Sequence, residues 1–185
     1  MSMSRMLCSM VLALMCGSAF AAAPAVDAPL PVLNISERGE LTMNGDDFSF
    51  VPWRSDTNAG TVHVVQYFAA TQGASETFKP FTDRLEGSFA PGTIHVTTIL
   101  NLDAATWGTT PFVISELKKN KRIHPKASMV VDDKGAGVVE WDLGKEGTAL
   151  LVTDQKGIVK YFTRQAMSEQ EIAATLQLMQ SNIGS

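Results

Sequence analysis

The chain has 185 residues, with 15 Lys and Arg against 19 Asp and Glu, for a formal charge of −4. That length suits one domain or at most two, and the mild acidity gives no overall attraction to nucleic acid or an anionic membrane. Hydrophobic residues make up 45%, ample for a core and unlike a disordered chain.

The first residues read as a targeting segment rather than as part of the fold. Arg5 precedes an apolar stretch from Met6 to Cys16, and small residues follow up to Ala23. Ala19-Phe20-Ala21 fits a signal-peptidase site, so residues 1–21 are expected to be a signal peptide cut after Ala21. The apolar run is shorter than the ~20 residues of a membrane span, and no span is expected after cleavage. Met15 before Cys16 is too large for a lipoprotein site. Cleavage has a chemical consequence. The chain holds 2 cysteines, Cys8 and Cys16, and both would leave with the signal. The exported protein would then have no thiol to pair, to ligate metal or to act as nucleophile.

Residues 22–31 hold three prolines and four alanines and read as an extended, mobile leader, with a single domain over 32–185. Glu40 to Met43 and Phe48 to Val51 flank Asn44-Gly45-Asp46-Asp47, a hairpin signal. Thr61 to Phe68 reads as a buried strand. Ala74 to Glu86 reads as a helix with Phe78, Phe81 and Leu85 on one face, kinked by Pro80. Thr93 to Leu102 is the next strand. Pro111 to Arg122 is a helix with Phe112, Leu117 and Val113 facing inward. Ser128 to Val131 and Gly137 to Leu143 read as strands joined by Asp132-Asp133-Lys134-Gly135. Ala149 to Thr153 and Ile158 to Phe162 form a second pair around Asp154-Gln155-Lys156-Gly157. Ser168 and Glu171 make a capping box, and Ile172, Leu176, Met179 and Ile183 form the apolar stripe of a last helix. After the first hairpin the order is β-α-β-α-β-β-β-β-α. It predicts an α/β fold, a mixed central sheet with helices on both faces.

That order matches the thioredoxin-like fold in its larger, peroxiredoxin-type version. Tyr67 to Ser75, YFAATQGAS, resembles the redox segment F-W-A-x-W-C-G-P-C, with Gln72 and Ser75 at the two cysteine positions. Thr148 to Gly157 resembles P-T-x-F-L-I-D-x-x-G, with Thr148 in place of the proline that contacts substrate. A narrower resemblance covers nearly the whole mature chain. ERGEL at Glu37 to Leu41 and the pattern carried by Asn101, Asp103, Ala105, Gly108, Phe112, Val113, Ser115 and Leu117 are similar to the YtfJ family of exported Gram-negative proteins. Val130-Val131-Asp132 and Trp141 fit as well. The resemblance implies a periplasmic protein of thioredoxin-like fold. Some family labels speak of a transcriptional regulator, which an exported acidic chain without a recognisable DNA-binding element does not support.

Thioredoxin chemistry needs a thiolate at a helix N-terminus, so no thiol-disulfide or peroxidase activity is expected. The Thr71-Gln72-Gly73-Ser75 turn keeps the geometry of a helix start that can receive an anion or a carbonyl; alternatively Thr71 or Ser75 simply caps the helix. Asn101, Asp103 and Trp107 fall at the carboxyl end of the second long strand, where open α/β sheets bind ligands, beside Thr71, Gln72, Gly73, Ser75 and Thr148. Asx hydrogen bonds in a loop, with Trp107 covering the core, are the competing reading. Non-thiol catalysis by Asp103 and Glu76 is an alternative that needs both in one pocket.

His63 and His95 open neighbouring strands without a third ligand, and His124 sits before Pro125, so no metal site and no cofactor are expected. Lys118, Lys119, Lys121, Arg122 and Lys126 read as a solvated helix end or as a contact for an anionic partner. The expected role is a binding or interaction module for a periplasmic protein or a small anionic ligand.

Overall fold

A computed structural model describes residues 22–71, 73–144 and 147–184. Residues 1–21, expected to be a signal peptide and holding Cys8 and Cys16, and Gln72 of the turn, lie outside the described residues. Seven strands form one sheet in the order β2-β1-β5-β4-β3-β6-β7. They are β1 (Asn34–Asn44), β2 (Asp47–Arg54), β3 (Val62–Ala69), β4 (Ile94–Asn101), β5 (Ser128–Asp132), β6 (Ala149–Thr153) and β7 (Val159–Thr163). The parallel core β3-β4-β5 is flanked by antiparallel strands on both sides.

The expected first hairpin forms, with Asn44 paired to Asp47. β1 carries a register shift between Ile35 and Glu40. Gly39 sits there with φ 75°, and a Cβ on it would stand 2.1 Å from the Val51 carbonyl oxygen. Only glycine fits such a bulge, which gives the ERGEL segment a physical reason.

Two right-handed crossovers step in the same direction along the sheet, from β3 to β4 and from β4 to β5, so their helices share one face. These are α1 (Lys79–Leu85) and α2 (Thr110–Ile123). The last helix, α4 (Glu169–Asn182), packs on that face too: Ile172 and Met179 join Phe78, Phe81, Val64 and Phe68 in one cluster. Ser168 and Glu171 form the expected capping box. The other face is closed by α3 (Ala136–Glu140) and by chain before β1, with Leu33, Trp53, Tyr67, Trp141 and Leu143 in its core.

Four expectations change. Residues Gly137 to Leu143 are not a strand: α3 starts at Ala136, for a reason given below. The single kinked helix over 74–86 is instead a 3-10 turn, Ala74–Phe78, followed by α1 with Pro80 in its first turn. Proline is tolerated there because its missing N–H has no intrahelical partner to lose. Phe112 does not face inward but is 69% exposed, while Leu117 is buried. The leader lies extended along β7, held by Asp27 N–H to Val159 O, Val159 N–H to Ala28 O and Leu30 N–H to Gly157 O, and so covers that sheet edge.

His63 and His95 are register partners with ring centroids 5.3 Å apart. Their Nε2 atoms pair with Thr97 Oγ1 and Ser128 Oγ at 2.8 and 2.9 Å. Among the described residues no group of three His, Cys, Asp or Glu is placed to hold a metal ion. Burial, and then the neighbouring His95, depress the His63 pKa from 6.5 to about 3. The unfolded chain therefore takes up a proton near pH 6.5 that the fold refuses. Stability from this group is complete above pH 6.5 and is lost as the pH falls towards 3. Urea unfolding from pH 7 to pH 4 is expected to show a slope of up to about 1.4 kcal/mol per pH unit from this site. His63→Gln removes that component.

Candidate functional site

β3 ends at Ala69, and the Ala70 N–H donates to Asn101 O at 2.9 Å, tying the turn to the end of β4. Gly73 follows with φ 85° and precedes the 3-10 turn, and no side chain caps that turn. Neither Thr71 nor Ser75 is used as a cap. Both line a cleft of about 720 Å³, together with Gly73, Thr106, Thr109, Phe112, Glu116 and Asn120. Its floor is Phe68, Leu100 and Leu117. The cleft therefore lies on the α1/α2 face, between the turn and the first half of α2. Glu116 is the one charged residue among those lining it, and it pairs with Lys119.

The structure splits the predicted set. Thr71, Gly73 and Ser75 come together in the cleft. Asn101 turns to the opposite face: its side-chain amide would meet a Cβ on Gly135 at 3.4 Å, and its Oδ1 accepts the Asp103 N–H at 3.0 Å. That is the Asx reading. Asp103 is exposed on the loop. Trp107 does not cover the core; it is 97% exposed. Thr148 directly precedes β6, whose first residue, Ala149, pairs with Tyr67. Glu76 lines a neighbouring groove, whereas Asp103 lines neither the groove nor the cleft. The two carboxylates of the catalytic alternative thus share neither of these two cavities.

Sequence reasoning missed the polar centre of the other face. Asp132, 1% exposed, ends β5. Its Oδ2 accepts the Tyr67 hydroxyl at 2.8 Å and the Gly137 N–H at 2.9 Å; its Oδ1 accepts the N–H groups of Ala136 at 2.9 Å and Lys134 at 3.3 Å. A buried carboxylate that receives N–H groups at a helix start fixes that helix, so Asp132 makes α3 where a hairpin was expected. Tyr67 packs edge-on to Trp141, with centroids 6.5 Å apart. Burial first, then the Asp132 charge, push the Tyr67 phenol well above its usual range. It stays protonated and donates. The pattern Asp132, Gly135, Ala136, Gly137 carried the signal, as an acidic cap before a helix rather than a hairpin turn. All four bonds on Asp132 are internal, so the group is structural.

Comparison with known proteins bears on the fold and on descent. A family model described as "Bacterial protein of unknown function (YtfJ_HI0045)" matches residues 25–182. An uncharacterized protein of Haemophilus influenzae is 34% identical over 175 residues, 91% of this chain and 95% of that protein. The uncharacterized protein YtfJ of Escherichia coli is 32% identical over 152 residues, 82% of this chain and 83% of that one. Among solved structures, a thioredoxin-like protein in its oxidized form aligns with TM-score 0.57 and 13% identity, covering 84% of this chain and 96% of its own. A thiol-disulfide isomerase from Corynebacterium glutamicum aligns with TM-score 0.56 and 14% identity, covering 84% and 97%. At such identities the likeness concerns fold alone, and the fold is thioredoxin-like.

Two substitutions test the Asp132 centre. A Cβ on Gly137 would lie 2.2 Å from Tyr67 Cε2, so Gly137→Ala is expected to lower the unfolding free energy by about 1–3 kcal/mol through overpacking. Asp132→Asn keeps the volume but turns an amide donor towards N–H groups, with an expected loss of about 1–3 kcal/mol. Urea denaturation measures both.

Proposed function

The chain belongs to the YtfJ family of bacterial proteins, and from that premise we propose that it works in the periplasm as a binding module that holds a partner at the carboxyl edge of its sheet without exchanging thiols. One observation carries the reading. The turn after β3, where a redox relative would present its thiol, holds Thr71, Gly73 and Ser75 against an open cleft of about 720 Å³. Phe112, which lines that cleft, is 69% exposed, and Trp107, in the adjoining loop, is 97% exposed. Large exposed aromatics beside a cleft suit a contact surface better than a solvated loop. Solved neighbours are named for thiol-disulfide work; in this chain the cysteines, Cys8 and Cys16, do not fall in the sequence of the turn.

The lining favours a neutral partner over a small anion. It offers hydroxyls from Thr71, Ser75, Thr106 and Thr109, the Asn120 amide and the Glu116 carboxylate, over an apolar floor. Among the described residues no cationic side chain lines it to offset the charge of an anion. A protein segment, apolar with a few hydrogen-bonding groups, matches such a lining. Catalysis by Glu76 and Asp103 is less favoured, since neither the cleft nor the groove holds both.

The test is a photoreactive phenylalanine analogue placed at Phe112 in living cells, with Val26, 54% exposed on the leader beside β7, as the control position. A discrete periplasmic adduct is expected from position 112 and not from position 26. Absence of any adduct, the same adducts from both positions, or an adduct formed only in the cytoplasm would remove the reading. In parallel, the purified protein is expected to leave insulin disulfides intact at the rate of buffer alone.

A further inference from the structure

β4 is the middle strand of seven, yet one of its faces is only partly covered. Thr97, Ile99 and Asn101, on the α3 side, are buried; Ile94, Val96, Thr98 and Leu100, on the helical side, are each only partly buried. A central strand normally has both faces covered. Here the two crossover helices stand apart over β4 and leave a groove of about 700 Å³ between them. In the floor of this groove lies Gln66, on β3 beside Thr98. It is 4% exposed. Neither the Gln66 amide nor the Thr98 hydroxyl makes a hydrogen bond among the described residues, and both residues line the groove, whereas the fully buried side-chain nitrogen left unpaired among the described residues is Trp53 Nε1. An amide and a hydroxyl on a groove floor pair with water until a ligand that offers the same hydrogen bonds displaces it.

We infer that the groove between α1 and α2 is a second binding site, for an extended apolar peptide segment carrying a basic residue, with Gln66 and Thr98 as the groups that pair with its backbone. An amide offers both a donor and an acceptor, as a peptide group does. The apolar row of β4 and the neighbouring Leu85 and Met129 supply the burial that holds alternate side chains. The charge of the wall selects the residue type. Glu76, Asp83 and Glu86 line it from α1 and its flanks, and Lys79 is already paired with Asp83 at 2.7 Å. Glu76 and Glu86 form no ion pair among the described residues, and Lys79 attracts both only at longer range, so the wall stays net negative with three carboxylates to one lysine. A carboxylate-headed lipid would meet like charge there, whereas a lysine or arginine would find a partner. The groove adjoins the carboxyl-edge cleft at Phe68, Ser75 and Leu100, but the inference stands or falls separately from the function proposed for that cleft.

Calorimetric titration of the mature protein tests it. The probe is a synthetic eight-residue peptide alternating leucine and serine with a C-terminal lysine amide, and its twin ends in glutamate. The expected result is micromolar binding of the lysine peptide and at least fivefold weaker binding of the twin. Gln66→Leu and Thr98→Val are each expected to weaken binding at least tenfold. Gln66→Leu should do so without lowering the melting temperature, since it removes an amide with no partner among the described residues. Phe112→Ala, which alters only the cleft, should leave the affinity within twofold. No binding at millimolar peptide, equal binding by Gln66→Leu, a melting temperature that falls in that variant, or binding of a decyl-chain amphiphile in place of the peptide would each overturn the assignment.

Discussion

The Asp132 carboxylate is the constraint on which the rest of this fold leans. It lies buried at the end of β5 and accepts the Tyr67 hydroxyl from β3 and the N–H groups of Lys134, Ala136 and Gly137. One side chain thereby links two strands of the parallel core to a helix that exists because of it. Gly137 lets the Tyr67 ring lie against the α3 backbone, and Trp141 closes on the same ring. A charge so deeply buried is tolerable because every one of these donors points at it. With that face sealed, whatever the protein holds must meet it on the other face or at the sheet edge.

The helical face has the opposite character. Phe78, Phe81, Ile172 and Met179 pack over β3 and β6, and Leu117 covers β5, while Ile94, Val96 and Leu100 of β4 join these clusters only as partly buried residues along a groove. Cleft and groove are two ends of one gap, meeting at Phe68 and Leu100. The gap follows from topology. Two successive crossovers place α1 and α2 on the same side, and α1, with 7 residues, is too short to lean across. Within the thioredoxin-like frame, the turn after β3 presents the hydroxyls of Thr71 and Ser75, with the exposed aromatic residue Phe112 at the same cleft.

Much of the fold was legible in the sequence because the strongest signals are local. The capping box at Ser168, the β-branched run of β3 and the Asn44-Gly45 turn each act within a few residues, and each forms as read. The α3 helix was not legible, since Val138-Val139 with flanking glycines suits a strand until Asp132 is known to be buried beneath it. Phe112 followed helical spacing inward; the helix presents it to the cleft instead, because Leu117 and Val113 already meet the sheet. Of the candidate site, strand-to-helix geometry points to the turn residues Thr71, Gly73 and Ser75, which line one cleft. Asn101 was placed at the correct edge but on the wrong face, a distinction that rests on the alternation of β4. Gln66 gave no signal at all, for a glutamine in a strand is unremarkable until its partners are sought.

Amide hydrogen exchange at Ala136 and Gly137 tests the central claim most directly. If Asp132 holds the start of α3 as a fixed part of the core, these two amides exchange as slowly as those of Val65 and Leu151 in the middle of the sheet, and they open together with them. Exchange as fast as that of the exposed loop around Trp107 would contradict the account, because α3 would then be an ornament on the sheet rather than the seal of one face.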